Sequence, residues 1–350
     1  MELPASDMTT WTAIGWLLAS FLVTVVLARG SIGYARRRGM LDLPGQRRSH
    51  DTPTPRGGGI GIVVAMLLCL PGAAWGQSHG WSAQIVLVGL CAALLLVALA
   101  GWWDDHRSLP VWPRLGAQLL GVALFAIGLV ATGVPWWWLP LLLLAGAWSI
   151  NLHNFMDGID GLLALQAIFV GSGLAALAWA AGQPMLTLFA ACLAVSALGF
   201  WLFNRPPARI FMGDVGSGSV GLLIFAFSAM LWRFDHALLW PALVLSSAFV
   251  VDSSLTLLAR MWHGRRWYAA HREHLYQWLV RRGRSHARVD AAYLGWNMLV
   301  AAPLAWLAWS HLHAALAITI VAYAVAAATW LYLKRRLLRR HPNKAPHVTS

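Results

Sequence analysis

The sequence predicts an all-α polytopic integral membrane protein, and three observations carry that prediction. Hydrophobic residues make up 59% of the 350 residues and charged residues only 11%, with a mean hydropathy of +0.62. A soluble domain carries about 25% charged residues, so this chain could not cover its surface in water. The apolar residues also come in runs of the length a bilayer demands, about 20 residues per helix. Finally, the net charge of +13 gathers at alternate ends of those runs, which is loop asymmetry and not a nucleic-acid footprint. No nucleic-acid partner is expected. The same composition excludes disorder, a collagen-like repeat and a disulfide scaffold. Cys69, Cys91 and Cys192 lie in apolar runs and read as small buried hydrophobes.

Eleven spans are expected. The first, 11–28, has Glu2 and Asp7 before it and Arg36, Arg37 and Arg38 after it. A cleaved signal peptide has the opposite flanks, so this is a retained helix with its N-terminus outside. Span two, 58–75, follows Pro55-Arg56-Gly57-Gly58-Gly59, and span three, 83–101, runs into Asp104-Asp105. Span four covers 115–132. Trp136, Trp137 and Trp138 then form an interfacial aromatic belt ahead of the short fifth span, 138–152. Spans at 162–181, 185–203, 219–232 (short), 237–260, 291–310 and 313–333 complete the set. With this odd count every Lys and Arg except Arg233 falls on the cytoplasmic side, including a basic tail over 335–350. An even count would place that tail opposite the other basic loops. The whole chain, 1–350, is expected to be a single membrane-embedded domain.

Polar residues are costly in a membrane protein, so their clusters carry information. Four occur, all on the expected cytoplasmic side. In Asp104-Asp105-His106-Arg107-Ser108-Leu109-Pro110 the adjacent carboxylates repel, and suit a shared cation or proton; a solvated turn is the plain alternative. In Asn151-Leu152-His153-Asn154-Phe155-Met156-Asp157-Gly158-Ile159-Asp160-Gly161, Asn154, Asp157 and Asp160 or Gly161 share one face at helical spacing. The third cluster runs from Asn204 to Ser219. Its Gly216 and Gly218 either present backbone N–H groups to a phosphate or serve ordinary helix packing. Asp214 among them points to Mg²⁺, which takes one or two carboxylates together with phosphate oxygens.

The fourth cluster, 261–290, is rich in arginine. A basic interfacial helix on anionic membrane lipid accounts for most of it, while His271 and His274, three apart, can face one ligand. Zinc is not expected there, for want of a third and fourth ligand. Asp252 is the one deeper acid, suited to a structural or site-supporting role. Spans two, four, six and eight all begin at the cytoplasmic face beside these clusters. Their positive dipole ends converge, an arrangement for an anionic, metal-bound ligand such as a nucleoside diphosphate derivative.

These motifs, in this order, resemble the polyprenyl-phosphate N-acetylhexosamine-1-phosphate transferases (glycosyltransferase family 4). That family includes phospho-MurNAc-pentapeptide translocase and the enzymes that initiate O-antigen, enterobacterial common antigen and teichoic acid synthesis. The resemblance covers most of the chain: 47–61 matches the family's first internal loop, and the Asp pair, 154–161 and 204–217 match its acidic motifs. It implies a Mg²⁺-dependent enzyme, with Mn²⁺ as an alternative ion, in the bacterial cytoplasmic membrane with its site facing the cytoplasm. Undecaprenyl phosphate would attack the β-phosphorus of a UDP-N-acetyl sugar, with UMP leaving; a homodimer is compatible with it.

By matching positions, the resemblance implies Asp214 as metal ligand and Asp104 or Asp105 as the group that positions or deprotonates the lipid phosphate. Asn154, Asp157 and Asp160 would lie around nucleotide and metal, with Asn204 and Phe211 near the uridine. The last internal loop, Ala270-His271-Arg272-Glu273-His274-Leu275-Tyr276-Gln277, is the family's sugar-recognition region, which puts His271, Arg272 and His274 at the donor sugar. Many relatives carry a histidine run there, of which this chain keeps one and replaces two. The segment looks most like the O-antigen-initiating branch. Ser108 stands where the peptidoglycan enzymes commonly have lysine. Both departures favour a UDP-GlcNAc-type donor over UDP-MurNAc-pentapeptide. A lipid-linked-sugar transporter, which would place its acids near the bilayer midplane, and a catalytically silent scaffold are the readings from other classes.

Overall fold

The computed structural model describes residues 10–42, 53–75, 81–266 and 271–339. Apart from one two-stranded ribbon, its regular elements are helical: α1 (Thr10–Arg38), β1 (Leu41–Asp42), β2 (Thr54–Pro55), α2 (Ile60–Ala74), α3 (Trp81–His106), α4 (Val111–Ala131), α5 (Leu139–Phe155), α6 (Leu162–Ala180), α7 (Pro184–Asn204), α8 (Asp214–Phe234), α9 (Leu239–Leu245), α10 (Ser247–Trp262), α11 (Leu275–Arg281), α12 (His286–Trp296), α13 (Ala302–Ser310) and α14 (Ala315–Arg339). In hydrocarbon every backbone polar group must be satisfied within the protein, and apolar runs meet that demand as helices.

The span count corrects the expectation. Among the described residues eight helices are long and apolar enough to cross a membrane, α12 and α13 counting as one through the π-helical turn Asn297–Ala301. A ninth exists only if α9 and α10 are one span, and they are bent by 77°. The expected spans 58–75 and 138–152 are helices of 15 and 17 residues. At the bend, beside Ser246, side chains of neighbouring helices bond the last carbonyls of α9. Tyr323 Oη donates to Leu243 O at 2.9 Å, and Gln166 Nε2 to Leu245 O at 3.4 Å.

Helix α8 is the central post. Almost all of it is buried, with α2, α3, α5, α6 and α7 around it. It gets close to α2 because both contribute glycine: a Cβ on Gly59 would sit 2.3 Å from the Gly216 Cα. Small residues that let backbones approach are the usual means of helix association in lipid. Gly216 and Gly218 therefore pack helices; Gly218 faces Val97 and Ile150. The outward faces are apolar in turn, with Leu18, Val88, Leu120 and Ile320 all exposed, as a lipid surround requires.

Candidate active site

The end of α8 that begins at Asp214 is where the acidic clusters meet. Asp105, near the end of α3, is buried and accepts the backbone N–H groups of Asp214 (3.0 Å) and Val215 (3.1 Å). It caps α8 from another helix, supplying two of the donors a helix start leaves orphaned. Gly213, the residue before α8, has φ +75°, and a Cβ there would meet Asp105 Oδ2 at 2.5 Å. The α8 N-terminus is thus occupied by the protein's own carboxylate, which favours helix packing over a phosphate cradle, the two alternatives the sequence leaves for Gly216 and Gly218.

Asp104 turns the other way. It accepts the Leu109 N–H and an Arg114 Nη1 bond of 3.1 Å, and the same Nη1 lies 3.1 Å from Asp214 Oδ2. Asn154, in the last turn of α5, donates to Asp214 Oδ1 at 2.8 Å and to Ser217 Oγ at 3.0 Å. One guanidinium and one amide therefore fix both oxygens of Asp214. Arg114 was not singled out from the sequence. Its signal was a lone cation in the first turn of an otherwise apolar helix.

Around these groups lies a cavity of about 230 Å³ lined, among others, by Arg56, Asp105, Asp157, Asp214, Arg272 and Gln277. Phe211, Asp160 and His286 line it as well. Asp157 sits in the turn between α5 and α6. Its recessed position, with the charges of Asp214 and Asp105 adding to it, pushes its carboxyl well above the ordinary carboxylate range. Asp160 is held at the rim: Oδ2 accepts the Ala208 N–H at 3.0 Å and lies 3.2 Å from His286 Nδ1.

Asn204 does not line the cavity. It is buried, accepts the Gly161 N–H and donates to Ile210 O, both at 3.0 Å. It ties the 157–161 turn to the 205–213 loop, on which Phe211 is placed. Of the last-loop residues, Arg272 reaches the cavity. His274 is buried behind it, stacked on Phe155 with ring centroids 6.1 Å apart, and His271 lies against it at 4.9 Å. Burial, with the neighbouring His274, lowers the His271 imidazole to about 4; burial lowers His274 too. The loop is pinned by two buried groups. Tyr276 Oη donates to Phe155 O at 2.8 Å. Asp252 accepts from Leu275 N, Tyr293 Oη and Trp330 Nε1 at 2.8, 2.7 and 2.9 Å. Asp252 is a structural hub.

The residues present fit a divalent cation. Asp105, Asp157 and Asp214 converge on the cavity, Asp104 is joined to Asp214 through Arg114, and Arg56 and Arg272 stand at the wall. Carboxylates gathered in a recess of low dielectric suit a shared cation or proton. Among the described residues no three His, Cys, Asp or Glu side chains form a ready-made cage. Mg²⁺ does not ask for one, since it takes one or two carboxylates and completes its shell with phosphate and water oxygens.

Comparison with known proteins agrees with this architecture. Residues 87–232 match the model of glycosyl transferase family 4. The chain is 30% identical over 282 residues to a phospho-N-acetylmuramoyl-pentapeptide-transferase of Lactiplantibacillus plantarum, covering 72% of this chain and 84% of that protein. The corresponding enzyme of Latilactobacillus sakei is 30% identical over 69% of this chain and 81% of its own length. A Bacillus subtilis protein described as a probable undecaprenyl-phosphate N-acetylglucosaminyl 1-phosphate transferase is 27% identical, over 77% of this chain and 76% of that one. With these relatives, and a matched segment that runs from α3 to α8 through Asp105, Asp157, Asp160 and Asp214, the chain belongs to glycosyltransferase family 4 and is a polytopic membrane transferase of phospho-sugars.

Proposed function

We propose that the protein transfers N-acetylhexosamine 1-phosphate from a UDP-sugar of the UDP-GlcNAc type to undecaprenyl phosphate, and so initiates a surface polysaccharide of the O-antigen kind. The observation that carries this reading is the meeting of Asp105, Asp157 and Asp214, from three separate segments, at one cavity that Arg56 and Arg272 also line, with Asp104 joined to Asp214 through Arg114. Phosphoryl transfer asks for alignment and charge neutralisation more than for covalent help from the protein. A phosphate oxygen of the lipid forms the new bond to the donor's β-phosphorus. The bond from that phosphorus to the bridging oxygen breaks, and UMP leaves with the electron pair.

In this reading Arg272 and Arg56 face the diphosphate as charge-assisted donors, and Asp214 with Asp157 holds Mg²⁺ or Mn²⁺. The ion, when bound, neutralises phosphate charge as it develops. Asp105 positions Asp214 by capping α8, and Arg114 keeps Asp104 and Asp214 in one orientation. Asp104 or Asp105 orients the lipid phosphate; each already accepts two hydrogen bonds, Asp104 from Leu109 N–H and Arg114, Asp105 from the first N–H groups of α8. Phosphate is already ionised near neutral pH, so this role does not require a strong base. The positive-inside distribution of Lys and Arg supports a site facing the cytoplasm of a bacterial inner membrane.

Membranes containing the protein, given UDP-GlcNAc, undecaprenyl phosphate and Mg²⁺, are expected to release UMP and form a chloroform-soluble sugar. Absence of both products with every N-acetylated donor overturns the reading. A second reading, transfer of phospho-MurNAc-pentapeptide, is favoured by the relatives of that name at 30% identity. Offering each donor in turn, with mass measurement of the lipid product, separates the two.

A further inference from the structure

A second cavity, of about 610 Å³, lies against α1, where Arg29, Ile32, Arg36, Thr54, Ala208 and Arg209 help to line it. We propose that it binds the phosphate of an anionic membrane phospholipid, at a site distinct from the catalytic cavity. Three guanidinium groups share this concavity and, among the described residues, no carboxylate lines it. Among the described residues none of the three is ion-paired. Like charges gathered this way are stabilised by an anion, and guanidinium is the side chain whose planar fork matches phosphate.

The position of α1 indicates where that phosphate comes from. Leu18, Leu22 and Val26 are 57%, 56% and 65% exposed. Their spacing of four residues, followed by Arg29 three on and Arg36 seven further, makes one stripe along the helix. An exposed apolar stripe on a membrane helix faces acyl chains, and arginines at its end reach the headgroup level. A lipid lying along the stripe thus presents its phosphate to Arg29 and Arg36, with Arg209 closing from the 205–213 loop.

A layer of backbone separates this cavity from the catalytic one, where the proposed function puts the acceptor's phosphate. In that layer Phe211 N–H donates to Pro55 O at 2.8 Å and Ala208 N–H to Asp160 at 3.0 Å. Arg56, Phe211 and Asp160, its neighbours and bonding partners, line the catalytic side. An occupied lipid site therefore braces the wall that carries Arg56 and Phe211.

The test is reconstitution of the full chain in phosphatidylcholine vesicles with a minor fraction of phosphatidylglycerol, followed by extraction and native mass measurement of retained lipid. This readout does not depend on the transfer reaction. Wild-type protein is expected to retain phosphatidylglycerol in preference to phosphatidylcholine. Each basic residue near an anionic surface gives about a fivefold preference, so the Arg29→Gln, Arg36→Gln, Arg209→Gln triple variant is expected to lose about tenfold or more of it. Each single variant keeps all but one contact and is expected to fall between. A control triple, Arg107→Gln, Arg335→Gln, Arg336→Gln, removes equal charge elsewhere and is expected to keep the preference. Unchanged retention in the single and triple variants, or equal loss in the control, overturns the proposal. So does displacement of the retained lipid by inorganic phosphate, which marks a free-phosphate site, or by undecaprenyl phosphate, which marks the acceptor's.

Discussion

Asp104 and Asp105 are adjacent in the chain, yet one faces a guanidinium and the other a helix end. Asp105→Ala leaves two buried N–H groups of α8 without an acceptor, each costing about 1–3 kcal/mol. The variant is expected to melt well below wild type in detergent and to lose transfer activity along with its stability. Asp214→Asn keeps the size and part of the hydrogen bonding but removes a charge. It is expected to fold normally, to lose Mn²⁺ affinity by electron paramagnetic resonance, and to lower UMP release by roughly 10²-fold or more. If Mn²⁺ affinity were unchanged, the ion would be held elsewhere. Asp214, Asp157 and Asn154 were legible in the sequence because acids amid apolar runs are conspicuous. Arg114 was not, since its partners lie 10 and 100 residues away. Nor does sequence alone distinguish an Asn204 that meets a ligand from one that joins two loops.

At the scale of elements, α11 is fixed by Asp252, for which the sequence suggests a supporting role, and by Tyr276, to which sequence reasoning assigned none. Tyr276→Phe removes the bond to Phe155 O and is expected to cost about 1 kcal/mol. Because α11 carries Gln277 beside Arg272 at the cavity, the variant is also expected to raise KM for the donor while leaving kcat nearly unchanged. An equal fall in kcat would place Tyr276 nearer the reacting atoms. The break between α9 and α10 shows why hydropathy missed other features. The run 237–260 is mostly apolar, so it reads as one continuous span. Tyr323 and Gln166, which bond the carbonyls beside the bend, lie on other helices. Composition records what can enter a membrane and not how the entry is bent.

Across the whole molecule, the charge asymmetry and the convergence of the acidic motifs describe the same end of the bundle. The contacts of Asp214 with Asn154 and Arg114 bring three distant segments together, as the one-sided placement of the motifs required. Single cysteines at Ser108 and Arg284, on a background lacking Cys69, Cys91 and Cys192, are expected to react with an impermeant thiol reagent only from the cytoplasmic side. A cysteine at Arg233 is expected to react only from outside. Labelling of Ser108 and Arg284 positions from opposite sides would dissolve the common site. The all-helical class, the order of the helices and the family resemblance were legible because they rest on composition and on contiguous motifs. The span count was not, because helices of 15 and 17 residues differ from full spans only in their ends.

The carboxylate of Asp252 gathers donors from α11, α12 and α14 at a single buried point. Such a rivet makes the floor beside Arg272 and Gln277 a fixed platform. Enzymes built on it can diverge in diet by exchanging the few side chains that project above that platform, as a tool changes its bit while keeping its chuck.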